Sequence, residues 1–189
     1  MSSAYRIVGY AIASADGMIA DADGVMPDSL KNEADHQFLD RELDHVEALV
    51  HGRRSHEGQA NSHQRRRLVL TRAIPGIVDH PELAKSMLWN PAGASLDDAC
   101  KALGADGGVI AILGGTDVYD MFLEIGYDGF YLSRAGNARI PGGTPVFSAV
   151  RDGGTPEEIL AAAGLEPGPT RVLDASQAVT VASWVRRRA

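Results

Sequence analysis

Short apolar runs alternate with amphipathic stretches along most of the chain. The apolar runs that predict β-strands are residues 5–13, 47–51, 67–71, 87–89, 109–113, 130–133 and 178–185. The stretches with near-helical apolar spacing, which predict helices, are residues 33–44, 95–103, 116–124 and 156–163. Strands that alternate with helices predict an α/β fold with a mostly parallel central sheet and an antiparallel C-terminal edge strand.

Three stretches refine this pattern. Residues 109–113 (VIAIL) are uniformly apolar, as expected for a central parallel strand covered on both faces. Asn32 or Asp35 lies near the start of the first helix, and Ser95 is placed to cap the second. Residues 140–169 are rich in glycine and proline and predict a long connection around one helix, because too few residues follow for a second core.

Length and composition narrow the class of protein. The 189 residues suffice for one domain over 1–189, and 44% hydrophobic with 23% charged residues is typical of a globular protein. The net charge of -7 argues against a nucleic-acid partner, and the single cysteine, Cys100, excludes an internal disulfide. The sequence has no signal-peptide pattern and no apolar run of membrane-spanning length, so we expect a cytoplasmic protein with no membrane partner.

The strongest chemical signal is residues 111–119 (AILGGTDVY), where an apolar strand meets Gly114, Gly115 and a helix. The N-terminus of a helix presents unpaired N–H groups and a positive dipole end, and glycine allows a ligand to approach the backbone closely. The turn therefore suits a phosphate group. A tight strand-to-helix turn without a ligand is the alternative.

A second turn follows the predicted strand over residues 47–51. Gly52, Arg53, Arg54 and Ser55 lie there, in the sequence HGRRSHE, and Thr71 and Arg72 end the next strand. If the two strands are neighbours, the arginines converge at one edge of the sheet and favour a multiply anionic ligand. The alternative is a solvated charged face, which suits the run over residues 65–67 better than it suits Arg53.

Metal binding and nucleophilic catalysis have weaker support. His51, His56 and His63 lack the spacing of known zinc motifs, so we expect no metal. Neither a GxSxG motif nor a cysteine with an evident histidine partner is present.

Four carboxylates could bind a polar heterocycle or relay a proton. Asp16 follows the first strand, and Asp28, Glu33 and Asp35 surround the start of the first helix. Each has a structural alternative: Asp16 fits an Asp-Gly turn, and Asp28 and Asp35 fit helix capping.

Taken in order, these segments resemble the dihydrofolate reductase superfamily, and more closely its branch with the reductase domain of riboflavin biosynthesis, the RibD C-terminal family. Residues 14–20 (SADGMIA) are similar to the S-L-D-G-x-I-A motif, and residues 48–57 to the M-G-R-x-T-x-E strand and turn. Residues 112–119 resemble I-G-G-x-x-x-Y, and residues 130–133 and 143–147 resemble L-Y-L-T and G-D-T-x-F-P. The resemblance covers about residues 5–185.

The resemblance implies a three-layer α/β/α fold and an NADPH-dependent reductase that transfers a hydride to a C=N bond of a pyrimidine- or pteridine-like substrate. Residues implied to hold the cofactor are Gly52, Arg53, Arg54, Ser55, Thr71, Arg72, Gly114, Gly115, Thr116, Asp117 and Val118. Asp16 and Glu33 are the implied catalytic carboxylates, and residues implied to bind substrate are Asp28, Asp35, Ser133 and Thr144. Family members commonly have a cis peptide bond at the position of Gly114-Gly115.

The chain also departs from the family patterns. Met26-Pro27 resembles the M-P of dihydrofolate reductases, but Asp28 replaces the tryptophan that follows it there. Gly143 replaces the aspartate of G-D-T, and residues 59–64 replace the D-D-P-x-L-T-x-R segment. Two alternative functions therefore stay open: a dihydrofolate reductase, and a non-catalytic protein that binds NADPH. The predicted C-terminal strand could pair with another copy, so we expect a homodimer.

Overall fold

The computed structural model describes residues 5–55 and 61–187. The strands in these residues are β1 (Tyr5–Ser14), β2 (Met18–Ala20), β3 (Ala48–Gly52), β4 (Arg67–Leu70), β5 (Ile77–Asp79), β6 (Ser86–Trp89), β7 (Gly108–Ile112), β8 (Gly129–Ala135), β9 (Thr144–Pro145), β10 (Leu165–Asp174) and β11 (Val179–Arg186). The α-helices are α1 (Glu33–Leu43), α2 (Leu96–Leu103), α3 (Thr116–Ile125) and α4 (Pro156–Ala162). Short 3-10 helices span Asp28–Leu30, Ser62–Gln64 and Ser148–Asp152.

Nine of the described strands form one sheet in the order β10-β11-β8-β1-β7-β3-β4-β6-β5. The strands from β8 to β6 run parallel, whereas β10, β11 and β5 pair antiparallel with their neighbours. The strands β2 and β9 form a separate antiparallel pair. Since β1 lies between β7 and β8, the carboxyl ends of the parallel strands open a crevice beside it, where α/β proteins bind ligands.

Helices cover the sheet on both faces. The face of α1 that carries Leu39 and Leu43 packs against Val8 and Leu49. On the other face, Cys100 of α2, Phe122 of α3 and Leu160 of α4 join one core with Ile110 and Ile112 of β7. The three-layer architecture, the mostly parallel sheet and the antiparallel C-terminal edge predicted from the sequence are confirmed, and β7 is the central, doubly covered strand.

Helix starts follow the capping residues in the sequence. Asn32, rather than Asp35, caps α1, because its side chain accepts hydrogen bonds from the N–H groups of Ala34 and Asp35. Ser95 caps α2 by accepting a bond from the N–H of Asp98, as predicted. No helix among the described residues is both long and apolar enough to span a bilayer.

The sequence pattern missed one long strand. Residues 165–169 belong to β10, although the glycine- and proline-rich composition predicted a connection there. Prolines 167 and 169 fit because β10 is the edge strand of the sheet, where a missing N–H donor leaves no ladder bond unmade on the open side. The opposite antiparallel edge strand, β5, was not predicted either.

Candidate active site

The two predicted phosphate-binding turns meet at one rim of the sheet. The strands before them, β3 and β7, are parallel neighbours with Val50 opposite Ile112. Beyond the strands, the N–H of Gly52 donates a hydrogen bond of 2.8 Å to the carbonyl oxygen of Gly114. The two turns, each predicted to suit a phosphate, therefore lie at the same rim. His56 and Glu57, which complete the sequence HGRRSHE, lie outside the described residues.

The Gly114-Gly115 peptide bond is cis, as the family resemblance implied. Gly114 has a φ of +93°, and a Cβ placed on it would lie 2.5 Å from Cε2 of the buried Tyr119. Among the described residues, the atom within 4 Å of a Cβ placed on Gly115 is Ser55 Oγ, at 4.0 Å. Gly115 is also the N-cap of α3 and provides no side-chain cap, while the N–H of Val118 bonds to the carbonyl oxygen of Gly115. The N–H groups at the very start of α3, before Val118, are the ones that suit an anion.

Cationic side chains surround the same rim. Arg53 and Arg54 are exposed in the turn after β3. Arg72 follows β4, the parallel neighbour of β3, and its guanidinium lies 3.4 Å from the carboxylate of Asp117 at the start of α3. Both side chains of this pair are more than four-fifths exposed, so the pair contributes little to stability and leaves Arg72 accessible.

Other predicted cofactor residues shape the turns from within. Thr71 is buried, and its hydroxyl oxygen accepts a bond of 3.1 Å from the N–H of Ala73. The hydroxyl of Thr116 donates to the carbonyl oxygen of Pro145, and Val118 is buried in the core. These three side chains therefore fix the backbone at the rim and do not line the cavity below it.

A cavity of about 840 Å³ extends from this rim towards α1, β1 and β8. Arg54, Ser55 and Gly115 line its outer end. Aromatic rings line its inner part, where Tyr131 stacks on Tyr10 at a centroid distance of 5.2 Å and meets Phe38 edge-on at 5.6 Å. A flat, apolar ligand with a few polar groups fits such a wall.

Three described carboxylates line the cavity, those of Asp23, Glu33 and Asp35, and the buried one belongs to Asp35, which is only 9% exposed in the first turn of α1. Burial raises the pKa of Asp35 above its ordinary value, while a hydrogen bond from the Ser133 hydroxyl and the proximity of His36 act in the opposite direction. Burial also raises the pKa of Tyr119, and the charge of nearby Asp35 adds to that shift. A carboxyl group with a raised pKa thus lies on the apolar floor of the cavity.

The remaining carboxylate predictions fare differently. Glu33 lies at the cavity edge, but its side chain is exposed and accepts a bond of 2.8 Å from Gln37 Nε2. Asp28 lies outside the cavity, in an exposed pair with Lys31 at 2.7 Å. The structure therefore favours Asp35 over Glu33 and Asp28 as the carboxylate that meets a ligand.

Asp16 also lies outside the cavity. Its carboxylate accepts bonds from Ser14 Oγ at 2.5 Å and from the N–H of Ile140 at 3.0 Å. Burial opposes ionisation of Asp16, but these hydrogen bonds hold its pKa below the ordinary value. A catalytic role was expected for Asp16, but its carboxylate is bonded to Ser14 and Ile140 and so connects two loops.

Ser133 and Thr144 both line the cavity, as predicted. Ser133 is buried beside Asp35, and Thr144 donates a bond of 2.8 Å to the carbonyl oxygen of Asp21 in the loop over the cavity. Sequence reasoning missed the aromatic wall and His51, which also lines the cavity. The spacing of Phe38 and Leu39 in the sequence indicates an apolar face of α1, but it does not indicate that this face contacts a ligand.

No protein-family profile and no curated protein sequence matches the chain. Solved structures do match. A riboflavin biosynthesis protein, so described, from Shewanella sp. PV-4 is 20% identical with a TM-score of 0.65, and the alignment covers 97% of this chain and 99% of that one. Dihydrofolate reductase of Enterococcus faecalis, solved with NADP(H), is 17% identical with a TM-score of 0.64 and 97% coverage of both chains.

A third match is the Thermotoga maritima diaminohydroxyphosphoribosylaminopyrimidine deaminase/5-amino-6-(5-phosphoribosylamino)uracil reductase. It is 13% identical with a TM-score of 0.68, and the alignment covers 96% of this chain but 56% of that one. At these identities the matches show the fold alone, and they confirm the fold that the sequence motifs implied.

Proposed function

We propose that this chain, which has the dihydrofolate reductase-like fold, is an NADPH-dependent reductase of the RibD C-terminal type. Its substrate is a pyrimidine- or pteridine-like heterocycle, which it reduces at a C=N bond. One observation carries the proposal: a single cavity joins the rim where Gly52 and Gly114 meet to the buried carboxylate of Asp35. A cofactor held at one end can therefore reach a substrate held at the other.

The residues at the rim fit NADPH. The start of α3, where Gly115 provides no side-chain cap and a Cβ on it would meet no described atom closer than 4.0 Å, suits the pyrophosphate. Arg53, Arg54 and Arg72 suit the phosphates of the adenosine end. When bound, NADPH supplies the hydride. The chain's own contribution is to hold and orient the dinucleotide at the edge of the sheet, with the cavity beyond it.

At the inner end, Asp35 and Ser133 provide polar contacts on an otherwise apolar floor. As a carboxylate, Asp35 accepts paired hydrogen bonds from ring N–H and exocyclic amino groups. In its protonated form, it donates one. Because burial raises its pKa, Asp35 holds a proton at a higher pH than an exposed aspartate, which favours protonation of the substrate nitrogen next to the reduced carbon.

The aromatic wall orients the heterocycle. Tyr10, Phe38 and Tyr131 provide flat apolar surfaces on the side of α1 and β1. Tyr119 is fixed by its hydroxyl, which donates to the carbonyl oxygen of Tyr10. These rings exclude water from the space around Asp35, and a substrate ring that stacks there has few orientations open to it.

The test is NADPH oxidation with a panel of pyrimidines and pteridines, together with calorimetric titration of NADPH. We expect micromolar NADPH binding, and turnover with at least one heterocycle whose kcat/KM falls by about a hundredfold in Asp35→Asn. NADPH binding without any turnover would favour the non-catalytic alternative. Absence of NADPH binding would contradict the proposal altogether.

Dihydrofolate is the second candidate substrate. The buried Asp35 beside the Ser133 hydroxyl favours it, because the aminopyrimidine part of a pterin offers paired N–H donors. Turnover of dihydrofolate, with competitive inhibition by methotrexate, would select this substrate over a ribitylamino- or ribosylamino-pyrimidine. If the chain neither reduces dihydrofolate nor is inhibited by methotrexate, dihydrofolate is excluded as the substrate.

We also propose that the chain acts in the cytoplasm as a single-domain homodimer without a nucleic-acid partner. The strand predicted to pair with a second copy, β11, already pairs with β10 and β8 on its two sides, so that part of the expectation is wrong. The edge strand β10, in which Val172 is 66% exposed, offers the surface for a second copy instead. Light scattering coupled to size-exclusion chromatography tests the dimer, and a monomeric mass at micromolar concentration contradicts it.

A further inference from the structure

The N-cap side chain of α1 is bonded at both of its ends. Asn32 Oδ1 accepts the N–H groups of Ala34 and Asp35, each at 3.1 Å, and Asn32 Nδ2 donates to Asp174 Oδ2 at 2.9 Å. Only one orientation of the amide satisfies these partners, because two N–H donors need the oxygen and a carboxylate needs the NH₂ group. The side chain of Asn32 thus connects Asp174 to the backbone of Asp35.

The two carboxylate oxygens of Asp174 have separate partners. Asp174 Oδ1 accepts bonds from Ser176 Oγ at 2.6 Å and from the N–H groups of Ser176 and Gln177, which shape the turn between β10 and β11. Asp174 Oδ2 is left for Asn32. The hydrogen bonds from Ser176 and Asn32 lower the pKa of Asp174, so the group stays ionised at neutral pH.

The same hairpin contacts α1 at a second point. The guanidinium carbon of Arg171, on β10, lies 5.3 Å from the ring centroid of Phe38. Phe38 lines the cavity and meets Tyr131 edge-on. One contact of the hairpin therefore reaches the backbone of Asp35 through Asn32, and the other reaches Phe38. Asp35 and Phe38 both line the cavity.

We propose that Asp174 is a positioning residue of the active site, which acts through Asn32 to fix the first turn of α1 and so the placement of Asp35 in the cavity. The inference rests on the proposed function in taking Asp35 as the group that meets the substrate. The connection is long in sequence, since 142 positions separate Asn32 from Asp174, and it joins the C-terminal hairpin to the floor of the cavity.

The placement matters because the Asp35 carboxylate has defined neighbours. Among the described residues, His36 on α1 and Ser133 on β8 act on the pKa of Asp35, and the charge of Asp35 acts on Tyr119 on α3. The interaction with Ser133 requires a defined position of the Asp35 carboxylate, and that position follows from the first turn of α1, where Asn32 holds the N–H of Asp35. A first turn that moves by a fraction of an ångström weakens the contact with Ser133 and with a substrate.

An exchange of the two side chains tests the connection. In Asp174→Asn, the amide oxygen still accepts the turn bonds from Ser176 and Gln177, but its NH₂ group faces the NH₂ group of Asn32. In Asn32→Asp, two carboxylates face each other. In the double variant, Asn at 174 donates to Asp at 32, so the connection returns with its direction reversed.

We expect each single variant to lower kcat/KM by about five- to tenfold, and the double variant to recover to within about twofold of wild type. The pH profile of kcat should shift in the single variants, since the surroundings of Asp35 change. Amide hydrogen exchange at Ala34 and Asp35, measured by NMR, should be about tenfold faster in Asp174→Asn and return to normal in the double variant.

Ser176→Ala is the matched control, because it removes a turn bond of Asp174 and leaves the bond to Asn32. It should leave the exchange at Asp35 and the pH profile unchanged. The inference is overturned if Asp174→Asn changes neither readout, or if the losses in the two single variants multiply in the double variant. The exchange measurement decides the inference even if no heterocycle is reduced, in which case the proposed function fails separately.

Discussion

The rim and the floor of the cavity are built in different ways. The rim comes from two short backbone segments, residues 52–55 and 114–118, which meet through one bond between Gly52 and Gly114. The floor comes from single side chains of α1, α3, β1 and β8, which the fold brings together around Asp35. The rim is exposed and cationic, whereas the floor is buried and aromatic. We infer that the rim serves binding of an anion and the floor serves recognition and protonation.

The largest expected effect separates these two roles. Asp35→Asn should lower kcat/KM by about a hundredfold while the Kd for NADPH stays within about twofold of wild type, because the change removes the ionisable group of the floor and leaves the rim intact. Steady-state kinetics and calorimetric titration measure the two quantities on the same sample.

Glu33→Gln is the matched control for this variant. Glu33 is two residues away on α1, but its side chain is exposed. A loss of kcat/KM of no more than about threefold is expected, because an exposed charge interacts weakly with its surroundings. A larger loss in Glu33→Gln than in Asp35→Asn would reverse the assignment of the carboxylates.

The two glycines of the rim offer the next test. Gly114→Ala should lower the free energy of unfolding by about 2–3 kcal/mol, because φ is +93° and the new methyl group would overlap the buried ring of Tyr119. Chemical denaturation measures this loss. In Gly115→Ala, the new methyl group meets no atom of residues 5–55 and 61–187 closer than 4.0 Å, so stability should hardly change.

Gly115→Ala should nevertheless weaken NADPH binding by about tenfold, because its methyl group occupies the space that the pyrophosphate would approach. The pair thus separates a glycine needed for folding from one needed for binding. Unchanged NADPH affinity in a folded Gly115→Ala variant would argue against the phosphate site at this turn.

The same contrast explains what the sequence could predict. Three features were predicted: the Gly114-Gly115 turn, the arginines after β3 and the apolar strand β7. Each is a short run of neighbouring residues, so its chemistry can be recognised in the sequence itself. The choice between Glu33 and Asp35 was not, because residues two apart on a helix point about 200° apart, and only docking of α1 on the sheet decides which one is buried.

Asp16 illustrates a second kind of limit. Its Ser-x-Asp-Gly context is visible in the sequence, but its partner, the N–H of Ile140, is 124 positions away. Likewise, β10 was missed because its prolines weaken a local strand signal, and only the order of the sheet shows that the strand lies at an edge. Long-range pairing, rather than local preference, determines these features.

A smaller effect is expected from the exposed arginines of the rim. Arg54→Gln should weaken NADPH binding by about fivefold at low ionic strength, and the difference from wild type should shrink as salt is added, because the charge is exposed. Titrations at two salt concentrations measure it. A change in the KM for substrate without a change in the Kd for NADPH would indicate that Arg54 contacts the substrate and not the cofactor.

The smallest effect concerns stability of the floor. Since the pKa of Asp35 is raised in the folded state, the stability that its protonated form contributes is complete below about pH 4, the ordinary range for aspartate, and is lost as the pH rises through the raised pKa. Asp35→Asn, which cannot ionise, should therefore melt at a higher temperature than wild type at pH 7, and this gain should vanish below pH 4. Thermal melts across this pH range measure the difference in melting temperature between Asp35→Asn and wild type. A difference that grows towards acid pH would contradict a buried Asp35 with a raised pKa.

A crystal structure of the chain with NADPH tests the central claim most directly. The account predicts the adenosine phosphates beside Arg53, Arg54 and Arg72, the pyrophosphate at the Gly115 end of α3, and the nicotinamide ring inside the cavity on the side of Asp35. A dinucleotide bound away from these two turns, or one whose nicotinamide points out of the cavity, would contradict it.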